Sequence, residues 1–90
     1  MSSGTLATFA KELLKLGQKI EKISRSNSIS NQTFSTNRRL TNDHLTKLIG
    51  DYNTIAKTVS ENSEHSIDPY VISEYVNSHE QVVLTASNKK

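Results

Sequence analysis

Apolar residues recur at alternating spacings of three and four along the first quarter of the chain. They are Leu6, Phe9, Leu13, Leu16, Ile20 and Ile23. This alternation is the a/d register of a heptad repeat, in which a narrow apolar seam follows one side of a helix. Thr5 is a suitable N-cap. The pattern therefore predicts a first helix from Thr5 to Ile23 or Ser24 that packs on one or two other helices.

The same spacing returns in the middle of the chain and predicts a second helix. Its apolar stripe consists of Leu45, Leu48, Ile49, Tyr52, Ile55, Ala56 and Val59. Thr41 is the candidate N-cap, and Arg38 and Arg39 could add one turn before it. We expect this helix to end between Glu61 and Ser63.

A third helix is predicted from the segment Ile67-Asp68-Pro69. Asp68 suits an N-cap, and proline is tolerated in the first helical turn because its missing N–H would have no partner there. A short apolar face follows, formed by Val71, Ile72, Tyr75 and Val76. The later stretch 82–84 is rich in β-branched residues, so residues 80–86 are left open between helix and extended chain.

These elements predict an all-α fold, an antiparallel helical hairpin with a shorter third helix in a small, coiled-coil-like bundle. We expect a disordered N-terminus (1–4), a single helical domain (5–86) with a polar linker (24–36), and a disordered C-terminus (87–90). The linker holds two apolar residues, Ile29 and Phe34. Because only 33% of 90 residues are hydrophobic and cysteine is absent, the core is small and a partner is expected to complete it.

Charge is distributed unevenly along the chain. Residues 1–39 carry seven Lys or Arg and two Glu, a net +5, whereas residues 40–90 carry four Lys and seven acidic residues, a net −3. Opposite charge on the two halves favours folding back, or head-to-tail pairing between chains.

The sequence predicts neither an enzyme nor a cofactor or metal site, and no small-molecule substrate. His44, His65 and His79 lie in three different segments, without the spacing of a helical zinc site. No stretch reaches the length of a membrane span, and the N-terminus lacks the pattern of a signal peptide. We expect an intracellular protein, cytoplasmic or nuclear, that does not bind membranes.

Nucleic-acid binding is the alternative function, through a small helix-turn-helix-like regulator. Helices two and three would form the motif, although their connection, 62–68, is longer than the usual turn. The candidate recognition helix, Pro69–Val76, has no Lys or Arg for phosphates or bases. Protein partners are therefore favoured over nucleic acid.

The order of elements resembles subunit 10 of the Mediator transcription co-activator complex. Two features are the pair Leu16-Gly17 in the first helix and a second helix over Leu45–Val59. In the third, the family has Pro, Val, Tyr and Ile at the same relative spacing as four residues of this chain, Pro69, Ile72, Tyr75 and Val76. The chain lacks the family's Gly-Arg-Asn-Pro motif and has 77–81 in its place. The resemblance implies a non-catalytic, nuclear, helical subunit of a large assembly.

The sequence as a whole predicts a non-catalytic protein–protein interaction subunit or adaptor of a larger complex, with a role in transcription if the resemblance holds. Amphipathic helices would carry a homo- or hetero-oligomer, unless they only close a monomeric bundle. The nearest partner of the first seam is expected to be the second helix, which leaves Leu14, Ile49 and the third helix for other chains. The candidate interface residues are Leu6, Phe9, Leu13, Leu14, Leu16, Ile20, Ile23, Leu45, Leu48, Ile49, Tyr52, Ile55, Val59, Tyr70, Ile72, Tyr75 and Val76.

Overall fold

The chain folds into two long helices followed by a β-hairpin. The computed structural model describes residues 3–28, 38–77 and 80–88. Helix α1 spans Ser3–Ser28 and helix α2 spans Arg38–Asn62. Strands β1 (Tyr70–Val76) and β2 (Val82–Asn88) form a two-stranded antiparallel sheet.

The prediction of an all-α, coiled-coil-like bundle is wrong, because its third helix is strand β1 and the fold is mixed. A helix over Pro69–Val76 would have about two turns, too few to be stable by itself. Val71, Ile72, Tyr75 and Val76 have β-branched or aromatic side chains, which fit a pleated sheet better. Pro69 directly precedes β1, where its missing N–H interrupts no ladder.

The helices are longer than the sequence predicts. Helix α1 begins at Ser3, inside the segment expected to be disordered, and continues through 24–28 of the expected linker. Ile29 and Phe34 lie outside the described residues. Helix α2 begins at Arg38 and ends at Asn62, where its end is predicted. Strand β2 includes Ser87 and Asn88 from the segment expected to be disordered at the C-terminus.

The apolar seam of α1 packs on α2 within the same chain. One buried cluster combines residues from both helices with the first residue of β1, namely Leu16, Ile20, Leu45, Leu48, Ile49 and Tyr70. A second cluster, Leu13, Ala56 and Val59, lies toward the start of α1 and the end of α2. The helices therefore form a two-helix layer, and the hairpin supplies the third side of the core through Tyr70, Leu84 and Ala86.

The loop of the hairpin is held by Asn77. Its carbonyl accepts a hydrogen bond from the Glu80 N–H (3.0 Å), and its N–H donates to the Gln81 carbonyl (3.0 Å). The Asn77 side-chain oxygen accepts from the Gln81 N–H (3.0 Å). Glu80 has a φ of 62°, the left-handed conformation that closes three-residue hairpin loops. The loop fixes the register that places Val76 opposite Val82.

Candidate functional site

The outer edge of β2, the one facing away from β1, is closed by helix side chains. Ser24 of α1 accepts a hydrogen bond from the Ala86 N–H (3.0 Å) through its hydroxyl oxygen. The same hydroxyl donates to the Ala86 carbonyl (3.2 Å). Ser24 is buried, so a single side chain satisfies both outward-directed backbone groups of this strand residue.

Two asparagines complete this closed edge. Asn27 of α1, which is only 1% exposed, donates from its amide to the Leu84 carbonyl (2.8 Å). The Asn42 side chain of α2 accepts from the Leu84 N–H (3.3 Å) and donates to the Val82 carbonyl (2.8 Å). Buried backbone groups need hydrogen-bond partners. Here side chains from both helices provide what a third strand would otherwise supply.

The first residue of β1 is fixed in a similar way. Asn53 of α2 accepts from the Tyr70 N–H (2.8 Å) and donates to the Tyr70 carbonyl (3.0 Å). The Tyr70 hydroxyl donates to a Glu21 carboxylate oxygen of α1 (2.7 Å), and its ring meets Tyr52 edge-to-face with centroids 4.8 Å apart. Burial, and then the bond to the Glu21 carboxylate, raise the pKa of Tyr70 well above its ordinary value. Burial and the negative charge of Asp68 also raise the pKa of Tyr52.

Beyond Tyr70, the outer edge of β1 is open. Outward and inward backbone groups alternate along an antiparallel strand, and the Tyr70 groups point away from β2 to Asn53. The N–H and C=O groups of Ile72, Glu74 and Val76 therefore also point away from β2. No side chain or backbone group within the described residues bonds to them. These three residues define what we call the open edge.

Four apolar side chains of β1 are exposed to solvent. Val71 is 48% exposed, Ile72 39%, Tyr75 38% and Val76 64%. The Tyr75 hydroxyl donates to the Asn27 carbonyl of α1 (2.6 Å), so its ring is oriented although one side of it faces water. A seven-residue strand thus presents two valines, one isoleucine and one tyrosine beside unpaired backbone groups. Exposed apolar edges of this kind are sites of strand pairing with other chains.

The structure separates the predicted interface residues into a core set and an exposed set. Eight are buried within the chain: Leu13, Leu16, Ile20, Leu45, Leu48, Ile49, Val59 and Tyr70. Five are partly buried and pack against the core: Leu6, Phe9, Ile23, Tyr52 and Ile55. Four are exposed: Leu14, Ile72, Tyr75 and Val76. Three of these four lie together on β1, whereas Ile49, expected to face a partner, lies in the core.

Among the described residues, the helices carry a groove but no cluster of metal ligands. A groove of about 810 Å³ follows α1 beside Gly17, Tyr52 and Tyr70. Glu21, the one carboxylate in its lining, accepts the Tyr70 hydroxyl. In the part of the chain that the structure describes, no group of three or more His, Asp or Glu residues could hold a metal ion. His79 lies outside this part.

A basic stripe follows the solvent side of α1. Its members recur at spacings of three and four and are exposed: Lys11, Lys15, Lys19, Lys22 and Arg25. A helix-turn-helix cannot form from α2 and the following segment, because Tyr70–Val76 is a strand. Nucleic-acid binding through the stripe itself stays a prediction.

Sequence reasoning did not find the residues that close the β2 edge. Ser24 and Asn27 lie four and seven residues after Ile20, so they continue the buried side of α1 with polar side chains. Polar residues at buried helix positions need partners. The sequence therefore indicates that Ser24 and Asn27 need hydrogen-bond partners, but it does not identify a strand edge as the partner.

Comparisons with protein families, with characterised proteins and with solved structures gave no match. The resemblance to subunit 10 of Mediator therefore stays a prediction. The residues of its last segment, Ile72, Tyr75 and Val76, lie in strand β1. No helix within the described residues combines the length and the apolar character needed to cross a membrane.

Proposed function

We propose that the protein is a non-catalytic protein–protein interaction module that takes an extended protein strand onto its open edge. The observation that carries this proposal is the contrast within one hairpin. On β2, the Val82 carbonyl and both outward groups of Leu84 and Ala86 have side-chain partners. The outward groups of Ile72, Glu74 and Val76 on β1 have none among the described residues.

Strand addition uses the two features that β1 offers together. Backbone hydrogen bonds supply affinity, and side chains at alternate positions supply specificity. Val71 and Tyr75 lie on one face of the sheet, and Ile72 and Val76 lie on the other. A strand added to this edge would therefore cover apolar side chains on both faces.

The usual protection of an edge strand is weak on β1. Natural edges avoid pairing through lysines, prolines, bulges or very short strands. Between Ile72 and Val76 there is no lysine and no proline, and the pairing with β2 is continuous from Tyr70 to Val76. Glu74 is the one charged side chain of β1. This composition favours a surface that is covered when the protein acts, as a subunit or adaptor of a cytoplasmic or nuclear complex.

Peptide selection tests the proposal. The protein would be presented at low concentration to a displayed library of random extended peptides that also contains the 70–76 sequence. We expect the selected peptides to carry apolar residues on both faces of the added strand. Binding should slow hydrogen exchange at the amides of Ile72, Glu74 and Val76, because these N–H groups become hydrogen-bonded.

Two variants separate strand addition from other binding. Glu74→Pro removes an outward N–H without removing a bond between β1 and β2, and it should weaken peptide binding at least tenfold. Val82→Lys is the control. Val82 lies on β2 and its side chain is 48% exposed, like that of Val71 on β1, so this variant should leave binding unchanged. Selected peptides that bind without slowing exchange at the three amides would contradict the proposal, as would a selection without binders.

A further inference from the structure

We propose that the strand added to the open edge is β1 of a second copy of this chain, in an antiparallel arrangement centred on Ser73. This inference rests on the proposed function and names its partner. The resulting sheet would have four strands in the order β2, β1, β1 and β2, with a twofold axis between the two central strands.

The closed edge of β2 is the first argument for a second copy. When two β1 strands pair, the outer strands of the new sheet are the two β2 strands. Their outward groups from the Val82 carbonyl to the Ala86 carbonyl are already bonded to Ser24, Asn27 and Asn42 of the helices. The middle of the β2 edge is therefore not available for pairing, so assembly stops at two copies. An isolated peptide on the same edge would instead expose a new edge of its own.

The register follows from three exclusions. An axis at Glu74 would place the two Glu74 carboxylates directly opposite each other, where like charges are destabilising. An axis at Ile72 would place Glu74 of the partner copy beside Tyr70, whose outward groups are held by Asn53, so that the two Ile72 residues would form the only hydrogen-bonded pair. An axis at Tyr75 would bring the partner's hairpin loop beside Ser73 and leave the groups of Ile72 unpaired.

An axis at Ser73 separates the two Glu74 carboxylates, keeps the hairpin loop away from the partner's β1, and pairs both Ile72 and Glu74. Only Val76, which then lies beside Tyr70 of the partner copy, is left without a partner. Ile72 of each copy then lies opposite Glu74 of the other, and each such pair exchanges two backbone hydrogen bonds. Val71 lies opposite Tyr75 of the partner copy, a pairing of β-branched and aromatic side chains that stabilises sheets. The two Ser73 residues face each other at the axis, where their small side chains fit.

The contact is small, so we expect a reversible dimer that is populated at high protein concentration. Sedimentation equilibrium from about 1 μM to about 1 mM should show a monomer–dimer equilibrium without larger species. Glu74→Pro should raise the dimer dissociation constant at least tenfold, because it removes one hydrogen-bond donor from each copy. Val82→Lys should leave that constant unchanged.

Disulfide trapping tests the register. The chain contains no cysteine, so a single introduced cysteine reports one contact. Ser73→Cys should form an intermolecular disulfide under mild oxidation, since residues directly opposite at a non-hydrogen-bonded site have Cα atoms about 4.5 Å apart. Thr85→Cys, opposite Ser73 on β2 of the same chain, should remain largely reduced.

The outcomes distinguish this inference from the proposed function. A protein that stays monomeric to about 1 mM but still binds selected peptides along β1 would overturn the second copy and leave the proposed function intact. A dimer in which Thr85→Cys traps as readily as Ser73→Cys, or in which the amides of Ile72 and Glu74 exchange as fast as in the monomer, would overturn the inference. Absence of both self-association and peptide binding would overturn both proposals.

Discussion

The two edges of the hairpin have the same backbone chemistry and different surroundings. On β2, the outward groups of Leu84 bond to Asn27 and Asn42, and those of Ala86 bond to Ser24. On β1, the equivalent groups of Ile72 and Glu74 have no partner in the described part of the chain. A two-stranded hairpin is marginally stable alone. The helices stabilise it by bonding along the β2 edge and to Tyr70 at the start of β1, and the rest of the β1 edge remains competent for pairing.

This difference shows how a small protein can present a pairing edge without being unstable. The hydrogen bonds that hold the hairpin to the helices come from Ser24 and Asn27, which are buried, and from Asn42 and Asn53, which are partly buried, whereas the open edge makes none within the described residues. Substitutions on the closed edge should therefore reduce stability, and those on the open edge should reduce association.

Asn27→Ala should have the largest effect. It leaves the Leu84 carbonyl without its 2.8 Å donor and creates a space where Asn27 is 1% exposed. The expected loss is about 2–3 kcal/mol in the free energy of unfolding, because a buried acceptor loses its partner. Urea denaturation followed by circular dichroism measures it. Asn62→Ala removes a bond of the same kind, to the Thr58 carbonyl, at an exposed site, and should cost less than about 0.5 kcal/mol. Equal losses in the two variants would contradict the prediction.

Ser24→Ala should have an intermediate effect. It removes both bonds to the Ala86 backbone and should cost about 1–2 kcal/mol in thermal or urea unfolding. Ser28→Ala is the matched control, since the Ser28 hydroxyl only donates to the Ser24 carbonyl within α1 and the residue is exposed. Its cost should be close to zero. If the hairpin amides of Ser24→Ala exchange no faster than those of the wild type, Ser24 does not hold the β2 edge.

Tyr70→Phe should cost about 1 kcal/mol near neutral pH, because it removes the hydrogen bond to the exposed Glu21 carboxylate. The pKa of Tyr70 is raised in the folded state, so the folded protein holds this proton more tightly than the unfolded chain. The corresponding stability is present below about pH 10, the ordinary tyrosine value, and is lost as the pH rises through the folded-state pKa.

Wild-type stability should therefore fall more steeply above about pH 10 than that of Tyr70→Phe, in urea denaturation at a series of pH values. Glu21→Gln keeps an acceptor but removes the negative charge, so its slope should lie between the two. Parallel pH profiles for the wild type and Tyr70→Phe would show that the Tyr70 environment does not perturb its ionisation.

The helices could be predicted from the sequence, and the strands could be predicted only in part. The seam of α1 persists for about five turns and the stripe of α2 for about four, long enough to distinguish a helical period from a strand period. In β1 the apolar residues fall at 71, 72, 75 and 76, a spacing compatible with one side of a short helix. The composition of 82–84 left helix and extended chain open, and the structure places these residues in strand β2.

The residues of the hairpin loop give little indication of a turn. It contains no glycine, and Glu80 adopts a positive φ that glycine or asparagine would have indicated. Asn77 is a turn-forming residue, but its bonds to Gln81 exist only once the strands are in register. Because the loop cannot be recognised from its residues, the sequence does not indicate that 69–76 pairs with another strand, and its apolar spacing predicts a helix.

The candidate site, like the fold, could be predicted from the sequence only in part. The exposed residues Ile72, Tyr75 and Val76 could be selected from the sequence as recognition residues, although on the wrong element. The closed edge could not, because Ser24 and Asn27 are separated from Leu84 and Ala86 by about sixty residues, and only the folded chain brings them together.

The sequence by itself determined the two amphipathic helices and the shortage of apolar residues that makes a third element necessary. Periodicity is a local property, and it is encoded wherever a helix is long enough to repeat it. The tertiary structure alone decided that the third element is a hairpin, and which of its edges is exposed. Those choices depend on hydrogen bonds between distant residues, Asn27 and Asn42 with β2 and Asn53 with Tyr70. The open edge of β1 is what remains after these bonds are made.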